Sequence, residues 1–455
     1  MEEINGILLE NELRLAEKCL EKALSMGAEK ARVTMNKSLM ELFGTLNGEL
    51  DKVSHCLDRS MSICLFVDGR FGSFSTNRLV EEELDSFLGR SISMVRMLAQ
   101  DSCRDLPDPA RTCKTALTGC EMGLFDPAYP DLTSDRRLEI AMDASIFRKH
   151  NGEDLLSEEG EYSDSVFDTY VIDSNGLKCR HTETSFEYGV EMTVQDKEGN
   201  RFSGYWWDSS PRLCDLKSGS CGETALKRAR AQIGPVKIPG GEYTMVVDSE
   251  NSSRLLSPIT NALGGFAIQQ KNSFMLVTLG KKVFPEWLNV IDIPHADGQT
   301  GSRLFDSEGV ATGESPVIQG GVVKEYFINT YMSRKMGISP TIEDVIRPVI
   351  PPCVAPGLTK PERMDRDGIM SMVGEGILVT GFNGGNSNSA TGDFSFGIEG
   401  FYFKEGKIVH PVREMLITGN LLSLWNSLLA AGDDARPCKS KLIPTLAFGK
   451  VYFSA

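Results

Sequence analysis

An α+β fold is predicted by three features of the sequence. Helical and strand patterns come in blocks, as helix, meander and helix, whereas an α/β fold would alternate them. Residues 154–208 read as long antiparallel strands, turned at Asn175-Gly176 and Glu198-Gly199. The second half is rich in glycine and strand formers, has few long helices, and finishes on the strand-like "LAFGKVYFSA".

In order along the chain, residues 7–26 place Leu9, Leu13, Ala16, Leu20 and Leu24 on one side of an amphipathic helix that Gly27 ends. Short strands follow in "ARVTMNKS" and "MELFGTLNGELDKVS", the latter turning at Asn47-Gly48. "SMSICLFVDGRFGSFST" alternates about Asp68-Gly69, a hairpin signal. A second helix is expected over Leu79 to Leu98. The Pro- and Asp-rich "DLPDPARTCK" and "FDPAYPDLTSD" then connect to a helix near Ser134 to Arg148, with Ser134 as its cap. After the long strands, "CGETALKRARAQIG" resumes a helix and "VKIPGGEYTMVVDS" opens the second half. At 455 residues the chain exceeds what one core usually serves. The boundary is expected near Leu216 to Gly222, giving an α+β domain over 1–216 and a mostly β domain over 217–455.

Composition narrows the function classes. With 41% hydrophobic and 24% charged residues, the chain is an ordinary globular one. A net charge of −15 speaks against a broad nucleic-acid or anionic-membrane surface, since both need a basic footprint. No apolar run approaches the ~20 residues of a membrane span. The acidic start "MEEINGILLENELRL" has no basic n-region, so a cytoplasmic protein is expected. Eleven cysteines without a repeated C-x-x-C read as reduced thiols. The pairs Cys113 with Cys120 and Cys214 with Cys221 are spaced too widely for a zinc knuckle, and His55-Cys56 and Cys179 with His181 offer single contacts at best. Of the five histidines, His55, His150, His181, His295 and His410, none lies four residues from another, so no helical His pair can hold a metal. His295, in the polar loop "DIPHADGQTG", is the histidine placed as a ligand or base would be. The chain has no nucleophile elbow, P-loop or dinucleotide fingerprint.

Three stretches carry the functional argument. "VVDSENSSRLLSPITNALGG", Val246 to Gly265, reads as a buried strand entering an apolar-striped helix, a common place for chemistry. Leu255, Leu256, Ile259, Ala262 and Leu263 make that helix a packing helix. Pro258 either kinks it or sits in its first turn behind a Ser257 cap. "GSRLFDSEGVATGES", Gly301 to Ser315, and "GFNGGNSNSATGDFSFGIEGF", Gly381 to Phe401, are Gly-rich and polar. Tight hairpins are the plain account of both, although "TGDFSFG" is more compact and polar than a hairpin requires.

These stretches resemble the family first described as modulators of DNA gyrase, whose branches are TldD and PmbA (also TldE). The match runs through "SRLFDSEGVATGESPVIQGGVVKEYFINTYMSRKMG", "ATGDFSFGIEGFYFKEGKIVHPVREMLITGNLLSLWNSLLAAGDD" and "CKSKLIPTLAFGKV", covering most of residues 220–455. The resemblance implies a two-domain α+β protein, a dimer enclosing a chamber, and a link to peptide proteolysis and maturation. In the TldD branch the corresponding helix carries H-E-x-x-x-H, a zinc site completed by a late cysteine. The patterns align Leu256 with the first His, Ser257 with the Glu and Asn261 with the second His, and only Cys438 persists. Leucine offers a metal no lone pair, and a serine hydroxyl is no carboxylate base near neutral pH. The chain is therefore similar to the PmbA branch.

The resemblance implies a peptide-handling subunit with no catalytic residue and no cofactor of its own, zinc being expected only in the catalytic partner. Its partners would be an H-E-x-x-x-H-bearing TldD-like chain, or itself as a homodimer, and a peptide. Candidate peptide contacts are Arg303, Asp306 and Glu308 in one polar stretch and Thr391, Gly392 and Asp393 in the other. Two alternatives stay open. One is a self-sufficient metallopeptidase built from His295, His410 and Cys438. The other is a regulatory protein acting on a topoisomerase or a toxin–antitoxin pair.

Overall fold

A computed structural model describes residues 6–149 and 152–455, so His150 and residues 1–5 lie outside the described residues. The chain divides into two compact units. The first comprises residues 1–230, 295–312 and 329–338, and the second comprises 231–294, 313–328 and 339–455. Two excursions of the second half thus fold with the first unit, which no composition shift announces.

The first unit is built on α1 (Glu10–Ser25), β1 (Lys30–Leu46), β2 (Glu49–Val67), β3 (Arg70–Thr76), α2 (Glu81–Val95), α3 (Ser134–Ala144), β4 (Leu155–Asp173), β5 (Lys178–Gln195), β6 (Arg201–Ser210) and α4 (Cys221–Ala231). Its six strands pair antiparallel in the order β3-β2-β1-β4-β5-β6. The expected short strands before and after Asn47-Gly48 are one hairpin of 17- and 19-residue arms. Asn47 and Gly48 both take positive φ, 53° and 74°, the turn that matches strand twist.

Burial alternates along residues 158–168 of β4 and, Gly189 apart, 184–195 of β5. Even-numbered residues such as Tyr162, Asp164, Val166, Tyr188, Val190 and Met192 are buried, while their odd-numbered neighbours face outward. The helices cover the buried face. Leu15, Ala16 and Cys19 of α1 and Leu88 and Ile92 of α2 pack with Val33, Met35, Ile63 and Ile172. Further along, Arg137 of α3 forms a buried bidentate pair with Asp164, at 2.6 and 3.0 Å. Gly204 of β6 lets α4 approach so closely that a Cβ would lie 2.3 Å from the Ala229 nitrogen. Across the sheet, Phe305 packs with Val171, Cys179 and Cys113.

Two helix expectations need correction. The α1 stripe is rotated: Ala16 is buried as expected, but Leu9 and Leu24 are exposed and Leu13 and Leu20 only flank the core. Small Cys19 and Ala23 face the sheet instead, because close approach favours small side chains over leucines. The third helix starts at Ser134 but is capped by Thr133, whose hydroxyl accepts from Arg136 N at 3.2 Å. It stops at Ala144, short of Arg148, and the buried Glu158 carboxylate takes the Ile146 N–H just beyond.

In the second unit, β7 (Gly241–Val247) pairs parallel with the strand Gly376–Ser387 and antiparallel with Leu446–Ser454. Gly376–Ser387 pairs with Asp393–Lys404, which pairs with Lys407–Asn420, which returns to Leu446–Ser454. The ring of pairings closes, so these five strands have no free edge among themselves. The stretch Gly381 to Phe401 is therefore a long hairpin within this ring, turning over residues 388–392. Val246, Leu378, Phe403 and Ala447 fill the core beside Ile369 and Met370. A small sheet orders Val322–Val323, Ser315–Gln319, Val290–Asp292 and Pro348–Val349.

Candidate functional site

The strand-to-helix corner sits where β7 leaves the ring. Met245, Val246 and Val247 are fully buried, and the next residue, Asp248, is buried too. Its Oδ1 accepts from Asn251 N at 3.0 Å and Asn251 Nδ2 at 2.8 Å, which bends the chain into α5 (Ser253–Ala262). Ser252 anchors the turn by donating its hydroxyl to Ile443 O at 2.9 Å. Leu255, Leu256, Ile259 and Ala262 are buried, as their spacing predicts. Pro258 lies inside the helix, so the first-turn alternative behind a Ser257 cap is overturned. The hydroxyl of Ser257 is occupied elsewhere, donating to Ser253 O at 2.9 Å.

The donor set at this corner does not suit a zinc ion. Leu256 is buried and apolar, and Asn261 points to solvent. Ser257 Oγ accepts a hydrogen bond from Lys441 Nζ at 2.8 Å, so an ammonium already stands beside these positions, and its charge repels a second cation. The segment carrying Cys438 brings more positive charge. Arg436 and Lys439 both pair with Glu250, Lys439 at 3.0 Å, and these three side chains are mostly buried. Cys438 itself is buried. Among the described residues, no three His, Cys, Asp or Glu side chains converge as a metal site.

The polar stretches separate between the units. Arg303, Asp306 and Glu308 belong to the first, and Thr391, Gly392 and Asp393 to the second. Asp306 is buried, and its Oδ1 accepts the N–H groups of Glu308 and Val310 at 2.9 Å each. Glu308 accepts both the N–H and the hydroxyl of Thr330, at 2.9 and 2.8 Å. Arg303 stays about 43% exposed, 3.7 Å from Glu183. Asp393 is held below its ordinary pKa by hydrogen bonds from Asn420 and Thr391. Gly392 has φ 77°, and a Cβ there would press on the Phe274 ring at 3.0 Å. Three of the six candidates, Asp306, Glu308 and Gly392, thus hold loop structure.

The histidines are dispersed. His55 meets Glu41 at 2.7 Å, His181 is buried beside Glu183 at 3.2 Å, and His295 meets Thr312 at 2.8 Å. His410 stacks on Tyr402. His295 belongs to the first unit, His410 and Cys438 to the second. None of the eleven cysteines is in a disulfide. Cys113 packs with Cys179, whose hydrogen bond lowers the pKa of the Cys113 thiol to about 5. Sequence reading passed over Lys441, Lys439, Arg436 and Glu250 as contact residues. The one signal was the basic run in "ARPCKSKLIP", which gives no hint of its target.

Comparison with known proteins agrees with the fold. Residues 127–233 match the PmbA/TldA metallopeptidase central domain, and residues 240–455 match the corresponding C-terminal domain. The chain belongs to the PmbA/TldD family. Within it, a crystal structure of a protein from Bacteroides thetaiotaomicron called a modulator of DNA gyrase superposes with a TM-score of 0.92 at 39% identity. That match covers 99% of this chain and 100% of the other. The metalloprotease PmbA of Escherichia coli O157:H7 is 24% identical over 452 residues, 96% of this chain and 97% of its own. TldE from Thermococcus kodakarensis shares the fold, with a TM-score of 0.80 at 16% identity over 97% of this chain and 100% of that one.

Proposed function

We propose that this chain is a PmbA/TldE-like subunit of a peptidase system in peptide maturation and proteolysis, one that holds peptide and carries no zinc site. Its partner is an H-E-x-x-x-H-bearing TldD-like chain or a second copy of itself. The observation carrying the proposal is the Lys441–Ser257 contact beside buried Leu256. A cation already satisfies the helix position from which a carboxylate base would act. The chain's thiols suit the reducing cytoplasm, where the subunit is placed.

In this reading Arg303 offers a guanidinium to a peptide carboxylate or carbonyl, and Thr391 and Asp393 offer exposed polar atoms to a backbone. Asp306, Glu308 and Gly392 hold the shapes of these loops. No step of peptide hydrolysis is assigned to this chain. The test mixes the chain with a TldD-like partner and an unstructured peptide. A complex on size-exclusion chromatography and faster cleavage than by the partner alone are expected, and the absence of both rejects the reading.

A second reading rests on the name of the Bacteroides thetaiotaomicron relative, a modulator of DNA gyrase. The charge of −15 then points to protein contact rather than DNA contact. Recovery of gyrase in a pull-down supports it, and recovery of only a sister subunit or peptides counts against it.

A further inference from the structure

The first unit covers one face of its sheet with helices and leaves part of the other bare. Phe305 and its neighbours cap the outward face near Val171 and Cys179. Towards the opposite end of β4 and β5 lies an open trough of about 520 Å³. Gly44 and Gly189 put no side chain into it, and the hydroxyl of Tyr205 reaches across Gly189, where a Cβ would lie only 2.3 Å away.

Its walls are unusually one-signed. Asp51, Glu159, Glu161, Glu187 and Glu191 all line it, against the single cation Lys52, which pairs with Glu161 at 2.9 Å. Glu159 stands directly opposite Glu191 in the β4–β5 register, a like-charge pairing that destabilises a sheet. Glu187 is held above its ordinary pKa by burial and by the neighbouring Glu161 carboxylate. The fold therefore keeps a repulsion here that an incoming cation relieves.

The spread of the carboxylates selects the kind of cation. Among the described residues no three of them converge as metal ligands do. Glu187 and Glu191 are four residues apart on one strand, roughly 13 Å at strand rise. A ligand that answers both must carry charges at intervals, as an extended peptide does when its alternate side chains project to one side every ~7 Å. A charged groove with low-dielectric walls also raises the local concentration of such a segment.

We propose that this open end of the sheet is a docking trough for a lysine- or arginine-rich peptide segment. The inference rests on the peptide-handling reading above and adds the class of peptide, taken up at a surface apart from the strand-to-helix corner.

The test is fluorescence anisotropy of a labelled lysine- and arginine-rich peptide against the full chain alone, with no partner present. Failure here is therefore distinct from failure of complex formation or of cleavage. The expected result is saturable binding that weakens with salt, and no binding of a neutral peptide of equal length. The variant Glu161→Gln/Glu187→Gln/Glu191→Gln is expected to lose at least about tenfold in affinity, as removal of facing charges does. The variant Glu81→Gln/Glu82→Gln/Glu83→Gln, which removes three charges from the exposed start of α2, is expected to bind like the parent. Equal loss in both variants means general attraction to an acidic protein and overturns the proposal. So does the absence of peptide binding, or binding of spermidine in place of the peptide. Unchanged circular dichroism of both variants shows that the fold is kept.

Discussion

The residues that decide this protein's chemistry are few, and their environments carry specific consequences. Arg137 and Asp164 are almost wholly buried and meet through two hydrogen bonds, with the Tyr162 hydroxyl also donating to Asp164. Removing one charge strands the other, so Asp164→Asn is expected to lower unfolding free energy by about 3–5 kcal/mol in urea titration. Glu187 gives a pH signature. Its pKa is raised in the folded state, so the stability linked to it is present below the unfolded value and is lost as pH rises through the folded one. Glu187→Gln should therefore stabilise the chain at neutral pH, with the gain vanishing once the solution is more acidic than the ordinary carboxylate range. A variant no more stable than the parent at neutral pH contradicts this account of Glu187. At the corner, Leu256→Ala is expected to cost about 2–5 kcal/mol, as core truncations do. Asn261→Ala, at an exposed position, should stay within about 0.5 kcal/mol.

At the scale of elements, α5 tells how a site without metal donors is kept in shape. Its apolar stripe docks it, and its start is fixed by the Asp248–Asn251 turn and the Ser252 anchor. Pro258 removes one N–H from the helix interior. Pro258→Ala is expected to stabilise the chain by about 1–2 kcal/mol, the interior penalty less the entropy proline removes from the unfolded chain. A loss of stability would mean that the proline ring itself is needed for packing at this position. The stripe of α5 was legible in the sequence because leucine and isoleucine at helical spacing have one common explanation. The α1 stripe is rotated from its sequence expectation because α1 meets the sheet through Leu15 together with Ala16, Cys19 and Ala23, and the three small residues leave a weak hydrophobic signal.

Across the whole molecule, the donor set predicts independence from metal. Elemental mass spectrometry of the purified, untagged chain is expected to find less than about a tenth of an equivalent of zinc, since structural and catalytic sites need three or four ligands. A chelator should leave its melting temperature unchanged, since in the subunit reading proposed above no folding free energy is tied to a metal. One zinc per chain would reject the subunit reading and turn the search to His295, His410 and Cys438. Part of the −15 charge gathers at the trough, which Asp51 of β2, Glu159 and Glu161 of β4, and Glu187 and Glu191 of β5 line.

The sequence by itself determined the α+β class, the hairpins at Asn47-Gly48, Asn175-Gly176 and Glu198-Gly199, the packing stripe of α5 and the family. Each rests on local periodicity, turn chemistry or contiguous motifs, which survive in a linear string. Only the tertiary structure decided that residues 295–312 and 329–338 join the first unit and that Lys441 reaches Ser257 across 184 residues. It alone decided that Glu159 faces Glu191 on a bare sheet face. These facts depend on strand register and chain return, where residues far apart in sequence are brought together by burial, and no local pattern encodes their partners.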